Sequence, residues 1–257
     1  MPDSFQNGLA AGAAFRLALP REALRGASGV RAGAGAGSSL DFLDFREYHP
    51  GDDLRRIDWN VFARTDREVV KLYREEVLPK ASILTDGSAS MGYDGAKRDF
   101  ARFLAGAFES AARAAGAAAT HWDFSHTPFS VRREDGSATL PRHSVRILLS
   151  DLLWPEDPEE TLRRLAPDAA ALYVVQTLLP DEEDPSFAGP HRLRDAETGA
   201  FREIVLDDAS LTAYRTALAA HRTRWADACR RHGASFVSVT PGAPLPALLR
   251  AGILEAN

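Results

Sequence analysis

The stretch "SILTDGSASMGYDGAK", residues 82–97, decides the fold of the chain. Apolar and hydroxyl residues lead directly into Asp86, and Ser88 and Ser90 follow at alternate positions. A short apolar run that ends in a polar turn before a helix is typical of a strand in a sheet covered by helices. The Asp-x-Ser-x-Ser turn itself fits three roles: a cation site, a serine nucleophile, or a cap for the next helix.

Four other apolar runs repeat the strand pattern. The five strand candidates are 81–86, 119–125, 145–151, 171–179 and 234–240. Apolar residues recur every three or four positions in 96–114 and in 208–232, and a glycine follows each segment, which predicts two amphipathic helices with glycine caps. Shorter helices are expected after "WPEDPEE" and in "LPALLRAGILEA". Strands that alternate with helices predict an α/β fold, a mostly parallel sheet with helices on both faces.

The chain changes character before residue 80. The segment "GAGAGS" (33–38) indicates a flexible loop, and "HPGDD" within the charge-dense "DFREYHPGDDLRRIDWNVFAR" (44–64) indicates a turn between extended pieces. We therefore expect a small β-rich N-terminal subdomain over residues 1–79 and an α/β domain over residues 80–257. The segment "RLRDAETGAFREIVL" predicts a hairpin inserted near residues 190–206, with "ETG" as its turn.

Composition excludes several classes of protein. The chain has 31 lysine and arginine residues against 36 aspartate and glutamate residues, a formal net charge of −5, so it lacks the basic footprint of a nucleic-acid binder. The single cysteine, Cys229, excludes an internal disulfide and a cysteine-based metal site and favours a reducing compartment. No signal peptide or stretch of the ~20 apolar residues of a membrane helix is recognisable. A cytoplasmic protein without a membrane segment is expected.

The strand ends carry the candidate cation ligands. Asp86 ends one predicted strand and Asp151 ends another, and ligands of open α/β sheets bind at the carboxyl ends of strands. Ser88 and Ser90 lie in the turn beside Asp86. Hydroxyl and carboxylate oxygens suit Mg²⁺, so Asp86, Ser88, Ser90 and Asp151 are predicted to hold Mg²⁺ or Mn²⁺. The alternative is a serine that merely caps the helix while Asp86 accepts bonds from the turn.

An enzymatic alternative treats Ser90 as a nucleophile. "SASMG" has the small residues of a nucleophile elbow, and Asp151 with a later histidine, His221 or His232, would complete a triad in the right chain order. Ser90 nevertheless lies four residues beyond Asp86, too far for a tight elbow, and no histidine follows the last predicted strand. A serine hydrolase is the alternative, and the sequence favours a protein that is not an enzyme.

The charged N-terminal block has two interpretations. Its arginines are Arg46, Arg55, Arg56 and Arg64, and its carboxylates include Asp52, Asp53 and Asp58. They form either a patch for a partner or internal ion pairs that hold the subdomain. Trp59 and Tyr48 are expected to anchor a core rather than to bind a ligand.

Two resemblances sharpen these expectations. The "DGSAS" turn and the later "SD" strand end resemble the metal-ion-dependent adhesion site (MIDAS) of von Willebrand factor A domains. "DFREYHPGDDLRRIDWNVFAR", "VKLYREE" and the C-terminal "YRTALAAHRTRWADACRRHGASFVSVT" resemble the bacterial domain of unknown function 58 family over about residues 30–250. The resemblance implies a von Willebrand A-like domain that binds proteins and works with a MoxR-type AAA+ ATPase on a client, in chaperone-like assembly or maturation.

The chain departs from the adhesion-site pattern at one position. That pattern includes a threonine from a loop between the Asp-x-Ser-x-Ser turn and the second aspartate. Thr127 and Thr139 are the candidates, and neither lies in a typical context. The departure implies a site that binds its cation weakly or that a partner completes.

Overall fold

The computed structural model describes residues 3–20, 23, 40–75, 78–92, 95–126, 129–154 and 156–257. The glycine-rich segment 33–38 and Thr127 lie outside these described residues. The chain divides into two compact units, one of Met1–Ala23 with Pro79–Asn257 and one of Leu24–Leu78. Within the described ranges, no helix combines the length and the apolar character needed to cross a membrane.

The larger unit alternates strands and helices. Its strands are β1 (Phe15–Leu17), β4 (Lys80–Asp86), β5 (Ala118–His126), β6 (Phe129–Arg132), β7 (Ser144–Ser150), β8 (Ala169–Thr177), β9 (Gly189–Arg194), β10 (Phe201–Leu206), β11 (Ser235–Val239) and β12 (Leu254–Ala256). Its helices are α1 (Ser4–Gly12), α3 (Ala89–Gly92), α4 (Ala96–Ala114), α5 (Pro158–Leu165), α6 (Pro180–Glu183), α7 (Asp208–Arg231) and α8 (Pro244–Arg250). All five predicted strands and both predicted long helices are present.

A six-stranded sheet forms the centre of this unit. Its strand order is β11-β8-β7-β4-β5-β6, and every neighbouring pair is parallel except β5 with β6. The central strand β7 is buried along its whole length, as expected for a strand with helices on both faces. The predicted α/β architecture with a mostly parallel sheet is confirmed.

Alternate residues of the strands pack into two separate cores. Ile147 faces the core that α4 and α8 cover, and the adjacent Leu148 faces the core that α5 and α7 cover. On the second face Trp225 of α7 is completely buried. Two short antiparallel pairs lie outside the sheet: β1 with β12, and the hairpin of β9 with β10, in the segment where a hairpin was expected.

Glycines let α1 approach α4 at backbone distance. A Cβ atom added to Gly106 would overlap the carbonyl oxygen of Phe5, and one added to Gly8 would overlap the carbonyl oxygen of Phe103. The contact between the two helices therefore depends on the missing side chains. It places the first residues of the chain on the larger unit, which differs from the expected subdomain of residues 1–79.

Substitution of Gly106 by alanine is expected to destabilise the larger unit by about 1–3 kcal/mol, because the added methyl group pushes α1 away from α4. Thermal unfolding of the full chain measures this loss. Ser110→Ala on the same helix removes an oxygen and adds no bulk, so it should change stability by less than about 0.5 kcal/mol. Equal midpoints for both variants would contradict the close packing.

The single cysteine reports on the core beneath α7. Cys229 is 1% exposed, and burial raises the pKa of its thiol to about 12. The thiolate is the reactive form, so iodoacetamide near pH ~8 should leave the folded chain unmodified and alkylate Cys229 only in denaturant. Mass spectrometry measures the label, and rapid alkylation of the folded chain would contradict this placement.

The smaller unit pairs two strands around a short helix. Its described elements are β2 (Leu40–Glu47), a 3-10 turn (Leu54–Arg56), α2 (Trp59–Thr65) and β3 (Val69–Glu75). Strands β2 and β3 form an antiparallel pair. Asp58 begins α2 by accepting hydrogen bonds from the backbone N–H groups of Asn60 and Val61. The chain after "HPGDD" is therefore helical where an extended piece was expected, because Asp58 supplies an N-cap.

Charged residues of this unit pair within it. Arg46 Nη2 lies 2.8 Å from Asp52 Oδ1, and Lys71 Nζ lies 3.1 Å from Asp58 Oδ2. For Arg46 this favours the internal ion-pair interpretation; the side chain of Arg56 lies outside the described part. The expectation that Trp59 anchors a core is wrong, since the side chain lies at the start of α2 and is 61% exposed.

Candidate functional site

The candidate site lies where the strand order of the sheet reverses. After β4 the chain adds β5 on one side and later adds β7 on the other side. Connections that leave neighbouring strands in opposite directions open a crevice at their carboxyl ends, where open α/β sheets bind ligands. Asp86 ends β4, Ser150 ends β7 and Asp151 follows directly.

The Asp-x-Ser-x-Ser turn folds back on its own aspartate. The backbone N–H of Ser88 donates to Asp86 Oδ1 at 2.8 Å, and the hydroxyl oxygens of Ser88 and Ser90 lie 3.1 Å apart. Ser150 Oγ donates to Asp86 Oδ2 at 2.5 Å and so ties the turn to β7. Direct contacts thus link three of the four predicted ligands: Asp86 contacts Ser88, and Ser88 contacts Ser90.

The fourth predicted ligand, Asp151, has a cation from the chain itself. Lys97 Nζ lies 2.9 Å from Asp151 Oδ2 and 2.5 Å from Glu182 Oε1. Lys97 is 3% exposed and Asp151 is 1% exposed. Burial alone would lower the pKa of Lys97, but the carboxylates of Asp151 and Glu182 outweigh it and raise that pKa. The side chain is therefore a buried ammonium that neutralises Asp151.

Within the described residues, Asp86 forms no ion pair with a lysine, arginine or histidine side chain. Burial raises the pKa of the Asp86 carboxyl, and the charge of Asp151 raises it further, against hydrogen bonds from Ser150 and Ser88 that lower it. A carboxylate whose charge is unfavourable in this way is stabilised by an added cation. The electrostatics of the turn thus favour positive charge beside Asp86.

A glutamate from the β9–β10 hairpin also reaches the turn. Glu197 Oε1 accepts a hydrogen bond from the backbone N–H of Ser90 at 2.9 Å. Glu197 lies at the tip of the hairpin, 107 residues further along the chain. After Asp86, Asp151 and Glu182, a fourth acidic side chain therefore contacts the site, from outside the sheet.

The donor set fits a small hard cation in part. Neighbouring ligands of an octahedral ion with bonds of about 2.1 Å lie about 3.0 Å apart, and the two serine hydroxyl oxygens are 3.1 Å apart. In the described part of the chain, no three histidine, cysteine, aspartate or glutamate side chains are placed to hold a metal ion, so a cation here depends on the serine hydroxyls. Asp151 fits less well, because its Oδ2 is paired with Lys97 and its Oδ1 accepts from Leu153 N–H.

Of the remaining candidates, Thr139 and His232 lie away from this cluster, whereas His221 lies close enough to Asp151 and to the backbone of Leu152 to interact with both. Strand β6 runs antiparallel to β5, so the connection from β6 to β7 that contains Thr139 returns to the opposite edge of the sheet. His232 Nε2 pairs with Glu159 Oε2 at 2.6 Å. In the part of the chain that the structure describes, Ser90 is hydrogen-bonded to Ser88 and Glu197 and to no histidine.

Sequence reasoning missed four residues of the site: Lys97, Ser150, Glu182 and Glu197. Two of them stood beside recognised motifs. Lys97 closes the stretch 82–97, and Ser150 precedes Asp151, so the pairing of β4 with β7 would have placed Ser150 opposite Asp86. No sequence signal identifies Glu182 or Glu197, which reach the site through tertiary packing.

Comparison with known proteins finds a family match that includes the charged N-terminal block. A family model described as "Protein of unknown function DUF58" matches residues 44–128. "Uncharacterized protein Mb1516" of Mycobacterium bovis and "Uncharacterized protein Rv1480" of Mycobacterium tuberculosis are each 30% identical over 230 residues, covering 76% of this chain and 72% of the relative. No solved structure matches the chain. The chain belongs to the DUF58 family.

Proposed function

We propose that the larger unit is a von Willebrand A-like domain that binds partner proteins through a divalent cation at the Asp-x-Ser-x-Ser turn. The observation that carries the proposal is the pair of serine hydroxyls, 3.1 Å apart, beside buried Asp86 at the point of strand-order reversal. Mg²⁺ or Mn²⁺ suits these oxygen ligands. The output is binding, without turnover.

Each residue of the site would have a separate role in binding the cation. Asp86, Ser88 and Ser90 would hold the cation, and Asp151 would add negative charge from β7 while Lys97 limits how much of that charge is available. The bound cation would supply an open coordination position for a carboxylate of the partner. A site of this kind needs neither a general base nor a nucleophile.

The ammonium of Lys97 explains why such a site would bind its cation weakly. A divalent ion near Asp151 is repelled by the buried positive charge and gains less from a carboxylate that is already paired. A partner that brings its own carboxylate adds the missing negative charge. Cation and partner are therefore expected to bind cooperatively.

The proposed partners are a MoxR-type AAA+ ATPase and a client protein, in assembly or maturation within the cytoplasm. This part of the proposal rests on the family resemblance. Affinity purification of the tagged full chain from its own cells, with one wash in Mg²⁺ and one in EDTA, tests it by mass spectrometry of the retained proteins. We expect the partner to be released by EDTA; retention in both washes would place the contact on another surface.

A further inference from the structure

Glu197 contacts the candidate site at Ser90, which is part of the surface proposed to bind the partner. Its carboxylate accepts from the backbone N–H of Ser90 at 2.9 Å, and Ser90 Oγ lies 3.1 Å from Ser88 Oγ. Ser88 in turn donates to Asp86. A chain of three contacts therefore joins the hairpin tip to the buried carboxylate, and the backbone N–H of Ser90 is taken by Glu197 and not open to a second carboxylate while that bond is in place.

The tip of the hairpin is built to hold Glu197 in one position. Asp195 Oδ1 accepts hydrogen bonds from the backbone N–H groups of Glu197 at 2.9 Å and Thr198 at 2.8 Å. Gly199 closes the turn with a φ of 71°, and its N–H donates to the Asp195 carbonyl oxygen. Because the turn is ordered by its own bonds, Glu197 binds with little further loss of conformational entropy.

The body of the hairpin is held less firmly than its tip. Strands β9 and β10 pair with each other and, in the described residues, with no strand of the central sheet. Leu193, Phe201 and Val205 are 45%, 57% and 64% exposed. An element with this much exposed apolar surface and few backbone bonds to its surroundings can move away from the sheet at modest cost.

We propose that the hairpin is an internal competitor of the partner: Glu197 covers the site until an acidic side chain of the partner protein displaces it. This inference rests on the proposed binding function, since the place that Glu197 takes is the one offered to the partner's carboxylate. Its consequence is autoinhibition, because the closed fraction of the protein lowers the apparent affinity for any competing carboxylate.

The first test removes the carboxylate from the tip in the full chain. In Glu197→Ala, hydrogen exchange of the Ser90 amide should become at least about 10-fold faster, because the carboxylate that accepts its hydrogen bond is lost. Glu203→Ala, on the exposed side of the same hairpin, is the matched control and should leave exchange unchanged. Equal exchange in the wild type and both variants would overturn the proposal.

The second test offers the hairpin in trans. A labelled peptide of residues 189–206 should bind Glu197→Ala at least about 10-fold more tightly than it binds the wild type in Mg²⁺, since the intramolecular competitor acts at high effective concentration. The same peptide with glutamine at 197 should not bind. Suppose that exchange is faster in Glu197→Ala but that the peptides with glutamate and with glutamine at position 197 bind equally. That result would overturn the role of Glu197 as a competitor.

The two proposals fail in different ways. If the peptide of residues 189–206 still binds Glu197→Ala more tightly than it binds the wild type in EDTA, the internal competitor is supported and the proposed role of the cation is contradicted. If Mn²⁺ binds the wild type but the peptide does not distinguish the two proteins, the cation site stands and the internal competitor falls.

Discussion

Asp86→Asn is expected to weaken Mn²⁺ binding by at least about 100-fold, because it removes the charge of the carboxylate that anchors the serine turn. Asparagine keeps the shape of the side chain and one oxygen, so it can still accept the hydrogen bond from Ser88 N–H, which is 2.8 Å long in the wild type. The loss therefore measures charge rather than folding. Calorimetric titration of the full chain with Mn²⁺ gives the affinity.

The matched control for this substitution is Asp123→Asn. Asp123 is an exposed aspartate on the neighbouring strand β5, and its replacement removes the same charge from the protein without touching the turn. We expect Mn²⁺ to bind this variant within about 2-fold of the wild type, since an exposed charge is screened by solvent. Equal losses in both variants would mean that Mn²⁺ responds to net charge and not to a site.

Lys97→Met is expected to destabilise the chain by about 3–5 kcal/mol, because it leaves the buried carboxylate of Asp151 without its cation. Asp151 is 1% exposed, so the removal of Lys97 leaves its negative charge in a buried position. Urea unfolding followed by circular dichroism measures the loss. Lys80→Met, at an exposed position of β4, is the control and should cost less than about 0.5 kcal/mol.

A second substitution shows where the loss arises. Adding Asp151→Asn to Lys97→Met removes the uncompensated charge, so the double variant should recover a large part of the lost stability. Saturating Mn²⁺ should also stabilise Lys97→Met more than it stabilises the wild type, because a divalent ion can replace the missing ammonium. A Lys97→Met variant as stable as the wild type would contradict the buried ion pair.

The elements that the sequence predicted well are those with strong local patterns. The run before Asp86 and the run at 145–151 are largely apolar over a short length, which is the pattern of central parallel strands. The helix over 96–114 has regular apolar spacing, and Gly116 follows its end with a φ of 75°. These features are decided by residues close to one another in the chain, so they are readable before the fold is known.

Elements that depend on distant partners were missed. Strand β6 is a four-residue edge strand that exists because it pairs with β5, and β1 pairs with β12 from the other end of the chain. Helix α1 is short, and its place on α4 depends on glycines of both helices. Short segments have weak propensities, and tertiary contacts decide their conformation.

The residues of the candidate site also fall into two groups, those close together in the sequence and those far apart in it. Asp86, Ser88 and Ser90 lie within five residues, so their meeting in one turn follows from local geometry. The ion pair of Lys97 with Glu182 and the contact of Glu197 join residues that are far apart in sequence. Charge type alone does not show which carboxylate a lysine will meet, and that information is present only in the folded chain.

The most direct test of the central claim is an anomalous difference map from crystals of the full chain soaked in Mn²⁺. The account predicts one peak at coordinating distance from the hydroxyl oxygens of Ser88 and Ser90 and beside Asp86, which disappears in Asp86→Asn. No peak at the serine turn, or a peak only elsewhere on the protein, would contradict a cation site in this family member.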